Sequence, residues 1–368
     1  TKAGALPQAS LNAMVGPSGL QTELKGSSGS KTVTENNFQL RPSISVSAPL
    51  YDAGRINHLT RWRESLADAA RQGQLSAQEQ IALQTVAISL DRSRYRLHVQ
   101  VWSQYAQKVC SLVDSLEQIV AADRGRGSEL VQARKTLQQV LLSRAQSMTQ
   151  LRLSETRLRR LVGDTLPEAA GMSSLLLEAP DLARLQAQAG DAPNIAQLAA
   201  QANAAGSLAD ATEAGHKPQA GWQVSVGKNL TGNKEGQWSA GVTFSMPLFN
   251  PGAAPAAQSA RLRAEAARLQ RADALEALGS RLAEVHEQAS AAMSRARDVV
   301  QVLKSSERVR EDTLLQWRQL GKRSLFDVMS AEGDHFNLRI AYVDALHDGQ
   351  QSVALMWSLA GGVQNPLR

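Results

Sequence analysis

The positions of the prolines constrain the fold of this chain more than any other feature of its sequence. The chain has 368 residues and 12 prolines, yet residues 50–166 and 256–365 contain none. Proline removes a backbone hydrogen bond and clashes with the preceding turn, so it is the residue least compatible with a helix interior. Two very long spans are therefore free to be helical.

The first proline-free span carries a single apolar stripe. Its members recur at steps of three, four or seven residues: Leu83, Val86, Leu90, Leu97, Val101, Tyr105, Val109, Leu112, Leu116 and Ile119. That spacing predicts one helix over residues 54–122, roughly 100 Å long at about 1.5 Å per residue. Gly125 and Gly127 then interrupt the pattern, and Ser128 is placed to cap a second helix over residues 128–162. The span is predicted to be a long helical hairpin.

The second span repeats the plan of the first. At one constant offset the two halves match at the following positions: Pro49 with Pro247, Tyr51 with Phe249, Gly54 with Gly252, and Glu129 with Asp327. The repeat predicts helices over residues 252–320 and 324–361, after a connector and helix over residues 164–216. We therefore divide the chain into two structural repeats, residues 1–163 and 164–368.

The register of this repeat is ambiguous at the helical turns. A local shift by two residues would match Gly125 with Gly321 and Ser128 with Ser324. Both registers remain open, and both predict a second helical hairpin.

An alternating pattern precedes each helical hairpin. Apolar residues occupy every second position over residues 37–49 and again over residues 237–247, and they include Ile44, Val46, Val242 and Phe244. Such alternation predicts strands with one apolar and one polar face. Candidate partner strands lie at residues 8–16 and 219–228, and the turn-rich segments 16–36 and 228–236 are expected to be the connections.

These four strands have two interpretations. They form a small sheet that buries its apolar face on the helices, or they form part of a membrane barrel with lipid on the apolar side and water on the other. Closed membrane barrels have at least about eight strands, so four cannot close one. The barrel interpretation therefore requires an oligomer of two or more chains.

Several functional classes find no support. The net charge of +6 is spread over interleaved acidic and basic residues rather than a basic block, which argues against a nucleic-acid partner. The single cysteine, Cys110, excludes an intrachain disulfide. Glu332 and His335 have the E-x-x-H spacing of a metal site, but a di-iron bundle needs a second such motif. Without a nucleophile elbow or a phosphate-binding loop, we expect no enzyme, metal or cofactor.

Three segments carry a resemblance to a known family. They are APLYDAG at residues 48–54, MPLFNPG at residues 246–252 and LGKRSLFDVM at residues 320–329. Together with the two-fold repeat, which covers nearly the whole chain, they resemble the TolC-type outer-membrane channel and efflux proteins. The resemblance implies an α+β membrane protein that is a homotrimer. Its chains would form a 12-stranded β-barrel continued by an α-helical barrel across the periplasm.

The resemblance also implies a function and a location. The protein would be a channel-tunnel in the outer membrane of a Gram-negative bacterium, extending into the periplasm. It would export small molecules or proteins in a tripartite efflux or type I secretion system, with a periplasmic adaptor and an inner-membrane transporter as partners. The alternative from another class is a soluble helical-hairpin scaffold or adaptor without a channel.

Three groups of candidate site residues follow from the family. The periplasmic tip or gate comprises Gly125, Gly127, Glu129, Gly321, Arg323, Ser324 and Asp327. The strand-to-helix junctions comprise Pro49, Tyr51, Gly54, Pro247, Phe249 and Gly252, and the lipid-facing strand residues are Ile44, Val46, Val242 and Phe244.

Each group has a functional and an ordinary interpretation. Arg323 is expected to pair with an acidic group on an adjacent helix, with Glu129 as the candidate, and Asp327 to add a negative ring. Alternatively, Arg323 and Asp327 are an exposed pair at a helix end. Tyr51 and Phe249 are expected in an aromatic girdle, the alternative being plain packing at a strand end.

Two features depart from the family pattern. Its members usually begin with a helix before the first strand, whereas this chain begins shortly before Pro7, so we expect a fragment lacking its signal and first helix. Family members also often carry an aspartate three residues after the position of Asp327, where this chain has Ser330. A constriction built from paired aspartates is therefore not expected in its usual form.

Overall fold

A computed structural model describes residues 2–26, 29–166, 176–231, 236–320 and 323–364, without the side chains of residues 2, 18–37, 39 and 320. The chain divides into two compact units. One comprises Thr1–Arg71 with Gln197–Ala272, and the other comprises Gln72–Ala196 with Asp273–Arg368. Both units draw on both sequence repeats, so residues 1–163 and 164–368 describe the repeat of the sequence and not two compact bodies.

The first unit contains one antiparallel sheet of four strands in sequential order. Its strands are β1 (Gln8–Gly26), β2 (Gly29–Tyr51), β3 (Gln219–Lys228) and β4 (Gly236–Ser245). The strands β3 and β4 have 10 residues each, close to the roughly 9 to 11 residues of a membrane-spanning strand.

Several strand boundaries differ from the sequence prediction. Residues 16–36 were expected to be a turn-rich connection, but β1 and β2 pair through this segment until Gly26 lies opposite Gly29. The prediction was wrong because backbone pairing needs no particular side chain, and residues that favour turns can continue a ladder. The strand β4 ends at Ser245 rather than residue 247, since Pro247 has no N–H group to donate.

The described residues form six α-helices, of which the short α3 was not predicted as a separate helix. They are α1 (Arg55–Ala122), α2 (Gly127–Val162), α3 (Leu182–Gln188), α4 (Pro193–Ala214), α5 (Ala253–Leu315) and α6 (Leu325–Ala360). A π-helical turn at Gln316–Leu320 ends α5 earlier than expected. Residues 167–175 of the expected connector lie outside the described part of the chain.

The helices of the first unit pack through small side chains. Its buried helical residues include Ala202, Ala204, Ala209, Ala211, Ala214 and Ala264. Alanine presents little volume, so helix backbones can approach one another closely. The described helices include none that is long and apolar enough to cross a membrane.

The second unit has two apolar clusters. The first includes the fully buried residues Leu185, Ile195, Leu282, Val285, Val353 and Met356. The second, called the turn cluster below, includes Leu116 of α1, Ala133 of α2, Trp317 of the π-helical turn, and Leu325 and Val328 of α6. Both helical hairpins contribute to the turn cluster, so a single apolar core lies beside both turns.

Candidate functional site

The register of the sheet aligns the apolar residues of all four strands. Residues directly opposite one another in an antiparallel sheet share a face. Leu11, Ile44, Val226 and Trp238 form one such row, and Ala9, Val46, Val224 and Ala240 form the next. The predicted lipid-facing residues Ile44, Val46 and Val242 therefore lie on one face, as does Phe244, which pairs with Ala220 opposite Tyr51.

Much of this apolar face is exposed in the part of the chain that the structure describes. The exposed fraction is 57% for Ile44, 71% for Val242, 71% for Phe244 and 73% for Trp238. A small sheet packed on the helices would instead bury these side chains. The uncovered face thus disagrees with that interpretation of the alternating pattern.

The opposite face carries hydroxyl groups at matching positions. Ser10, Ser45, Ser225 and Ser239 form a row across all four strands. The hydroxyl oxygens of Ser10 and Ser45 lie 2.7 Å apart, and those of Ser225 and Ser239 lie 2.8 Å apart. A continuous polar row on one face and apolar rows on the other make the sheet two-sided across its full width.

An irregularity in β2 determines which way Tyr51 points. The register shifts between Pro49 and Tyr51, so Tyr51 pairs with Ala220, which itself pairs with Phe244. Strict alternation would have placed Tyr51 on the polar face, and the shift moves it to the apolar one. Tyr51 is 60% exposed there, while Phe249 follows the end of β4 and is 89% exposed.

The two strand-to-helix junctions share a local turn. A side-chain oxygen of Asp52 accepts a hydrogen bond from the Gly54 N–H at 3.0 Å, and Asn250 accepts one from the Gly252 N–H at 3.1 Å. Such turns explain why both repeats carry Asp or Asn two residues before glycine. Gly54 also has a φ of 83°, which favours glycine.

The first helical turn is organised by Asp123. Its Oδ1 atom accepts a hydrogen bond from the Gly125 N–H at 3.0 Å, and a 3-10 turn at Arg124–Arg126 leads into α2 at Gly127. The prediction that Ser128 caps α2 was wrong, because the Asp123 turn starts helical geometry before Ser128. Glu129 lies beside Arg126, with Oε1 3.5 Å from its Nε.

The second helical turn is closed by a capping box. The Ser324 hydroxyl accepts a hydrogen bond from the Asp327 N–H, and Asp327 Oδ2 accepts one from the Ser324 N–H at 3.0 Å. The backbone hydrogen bond from Ser324, followed by that from its hydroxyl, lowers the pKa of Asp327 below its usual value. Ser324 is therefore the N-cap of α6, and Asp327 is the charged third residue of the capping box. Gly321 lies outside the described residues.

Arg323 has a partner other than the expected one. Its Nε donates a hydrogen bond to Oε1 of Gln316 at 3.2 Å. The ion pairs among the described residues do not include one between Arg323 and Glu129, and Glu129 instead lies beside Arg126 in its own hairpin. A pair between copies of the chain remains a proposal.

Sequence reasoning missed a buried ionic group between α5 and α6. Glu332 is 2% exposed, and its Oε1 lies 3.5 Å from Nη1 of Arg310. Burial raises the pKa of Glu332, and the charges of Arg310 and Lys108 only partly offset this. Burial lowers the pKa of the neighbouring His335, with Arg310 acting in the same direction. The E-x-x-H pair of the sequence thus lies beside an arginine, and the described residues hold no cluster suited to a metal ion.

Two buried histidines contact half-buried aspartates between α1 and α6. Nε2 of His98 lies 2.9 Å from Oδ1 of Asp344, and Nε2 of His347 lies 2.9 Å from Oδ1 of Asp91. Burial alone would raise the pKa of Asp344, but the hydrogen bonds and charges of His98 and Arg94 outweigh it and lower that pKa. Asp91 and His98 each directly follow a leucine of the apolar stripe and lie seven residues apart. This spacing, which places both on one side of α1, is the sequence signal that could have indicated the contacts.

The fold is similar to solved outer-membrane protein structures. CusC, whose structures concern folding and transmembrane channel formation, aligns with a TM-score of 0.83 at 18% identity, covering 98% of this chain and 84% of CusC. The outer membrane protein VceC from Vibrio cholerae aligns with a TM-score of 0.81 at 18% identity, covering 98% of this chain and 89% of VceC. A membrane protein from Pseudomonas aeruginosa aligns with a TM-score of 0.81 at 16% identity, covering 98% and 83% of the two chains.

No protein-family model and no curated protein sequence matches the chain. The structural similarity shows that the chain has the fold of TolC-type outer-membrane channels. The resemblance inferred from the sequence is confirmed at the level of the fold.

Proposed function

We propose that the protein is a homotrimeric channel of a Gram-negative outer membrane, with its helices extending into the periplasm. The observation that carries this proposal is the two-sided sheet. Its apolar face is exposed in the isolated chain, and its opposite face carries an unbroken row of serines. Contact with lipid suits the exposed apolar face, and contact with water suits the serine hydroxyl groups of the opposite face.

The edges of the sheet support assembly from several copies. The sheet runs from β1 to β4 without closing, and an open edge in lipid leaves backbone groups without hydrogen bonds. Neighbouring copies can pair β4 of one chain with β1 of the next. Three copies would give a barrel of 12 strands, the number implied by the family resemblance.

The role of such a channel is export. We infer that it conducts small molecules or proteins outward as part of a tripartite efflux or type I secretion system. Its partners would then be a periplasmic adaptor and an inner-membrane transporter. The structural neighbours include the outer-membrane channel OprN and the Campylobacter jejuni outer-membrane channel CmeC. Their similarity supports a channel rather than an enzyme.

The proposal is tested by extraction, sizing and conductance of the purified protein. We expect the protein to require detergent, to be a trimer by light scattering corrected for detergent, and to produce discrete current steps in planar bilayers. A monodisperse monomer that stays soluble without detergent and produces no current would favour the scaffold interpretation. A monomer that retains its strands in mild detergent would contradict the assembly.

A further prediction concerns the gate at the helical turns. We propose that Arg323 holds the closed tip together across copies and that Asp327 contributes a negative ring that favours cations. Exposed ion pairs contribute about 0.2 to 1 kcal/mol each, so three or six of them bias a closed state by a few kcal/mol. Arg323→Ser is therefore expected to increase single-channel conductance, measured in planar bilayers.

The test at Asp327 has to separate its charge from its capping role. Asp327→Asn removes the charge but keeps an oxygen that can accept the Ser324 hydrogen bonds, whereas Asp327→Ala removes both. We expect the asparagine variant to lose cation preference while keeping the helix start. Arg308→Ser, which removes a charge from the exposed surface of α5, serves as the control. Parental conductance and ion preference in both the Arg323→Ser and the Asp327→Asn variants would show that the gate lies elsewhere.

A further inference from the structure

The polar face of the sheet carries one charged group among its described side chains. Arg41 follows the same alternation as Ser43 and Ser45 and lies opposite Met14 of β1. The remaining described positions on this face have uncharged side chains. Lys228, by contrast, follows the alternation of Val224 and Val226 on the apolar face, at the end of β3.

The backbone around Arg41 is held from both sides. The neighbouring strand β1 pairs with β2 at Met14. On the other side, the Leu230 N–H donates a hydrogen bond to the Leu40 carbonyl at 2.9 Å, and the Leu40 N–H donates one to the Thr231 hydroxyl at 2.8 Å. These two hydrogen bonds lie beyond Gly227, the last residue of β3 that pairs with β2. The backbone of β2 is therefore hydrogen-bonded on both sides next to Arg41.

Arg41 lies far from the helical end of the strand. It lies eight positions before Pro49, roughly 26 Å at about 3.3 Å per residue. A membrane-spanning strand needs only about 9 to 11 residues. If the junctions lie at the periplasmic interface, Arg41 lies near the outer mouth of the lumen.

We propose that Arg41 from each copy forms a positive ring at the outer mouth of the channel, and that this ring favours anionic solutes. The inference rests on the proposed function, since it requires several copies around one lumen. Rings of arginine or lysine select anions in pores because they raise the local concentration of negative solutes. Because the other described side chains of the polar face are uncharged, this ring is the charge feature of that face among the described residues.

The proposal predicts a dependence on salt. The screening length is about 30 Å at 0.01 M ionic strength and about 3 Å at 1 M. The electrostatic potential of charges around a water-filled lumen therefore extends across the lumen only in dilute salt. Anion preference due to Arg41 should be largest at low salt and should disappear near 1 M.

The experiment is the reversal potential of purified trimers in planar bilayers under a potassium chloride gradient. Arg41→Gln is expected to lower the chloride-to-potassium permeability ratio roughly threefold in dilute salt and to leave it unchanged near 1 M. Arg41→Lys should keep the parental ratio. The matched control is Lys228→Gln, which removes the same charge from the opposite face and should leave the ratio unchanged.

Two outcomes would overturn the inference. The first is an Arg41→Gln channel that conducts with the parental permeability ratio in dilute salt. The second is an equal change in the Lys228→Gln channel, which would show a general effect of net charge. A parent protein that produces no current at all would instead refute the proposed channel, so failures of the two proposals are distinguishable.

Discussion

Replacing Val242 by arginine is expected to destabilise the membrane-inserted sheet by roughly 2 to 4 kcal/mol. Val242 lies within β4, is 71% exposed, and pairs with Trp222 on the apolar face. An arginine there would place a charge in the hydrocarbon core unless the side chain reaches an interface. The free energy of unfolding is measured by urea titration of the protein in phospholipid vesicles.

The matched control is the next residue along the strand. Thr243 lies on the polar face, where its hydroxyl donates a hydrogen bond to the Gly221 carbonyl at 3.3 Å. Thr243→Arg loses that bond but places its charge in water, so we expect a cost of about 1 kcal/mol or less. Val46→Arg should behave like Val242→Arg, and Ser45→Arg like Thr243→Arg. Equal tolerance at all four positions would refute the membrane assignment.

Removing the arginine of the buried pair between α5 and α6 should cost about 3 to 5 kcal/mol at neutral pH. In Arg310→Met, the apolar stem is largely retained, but Glu332 is left buried without the cation 3.5 Å away. Chemical denaturation in detergent, followed by helical circular dichroism, measures this loss. Arg308→Met, on the exposed surface of the same helix, is the control and should change stability little.

The direction of the pH dependence identifies the cause of that loss. Burial raises the pKa of Glu332 above its ordinary value of 4.5, so the folded protein binds this proton more readily than the unfolded chain. The stability contribution of the group is therefore fully present below pH 4.5 and is lost as pH rises through its folded pKa. The deficit of Arg310→Met should shrink on acidification, when Glu332 becomes neutral.

A second substitution completes this test. Glu332→Gln keeps the shape of the side chain without its charge, so the double variant should recover most of the stability lost in Arg310→Met. A deficit that is independent of pH and is not rescued by Glu332→Gln would mean that Arg310 acts through packing alone.

The long helices and the two faces of the sheet could be predicted from the sequence because both depend on local periodicity. The apolar stripe of the first proline-free span predicted a helix over residues 54–122, and α1 spans Arg55–Ala122. Alternation over residues 37–49 likewise placed Ile44 and Val46 on one face. A helix repeats every 3.6 residues and a strand every two, so these patterns can be recognised without knowing which elements pack against them.

Features that depend on which element lies opposite required the tertiary structure. Pairing with β2 continues β1 to Gly26 through residues that favour turns, and a register shift against β3 moves Tyr51 to the apolar face. Arg310 and Glu332 are distant in sequence and become partners only because α5 and α6 pack together. Periodicity determines the conformation of a segment and the face that it buries, whereas strand register and buried ionic contacts arise from the pairing of segments, which no local pattern encodes.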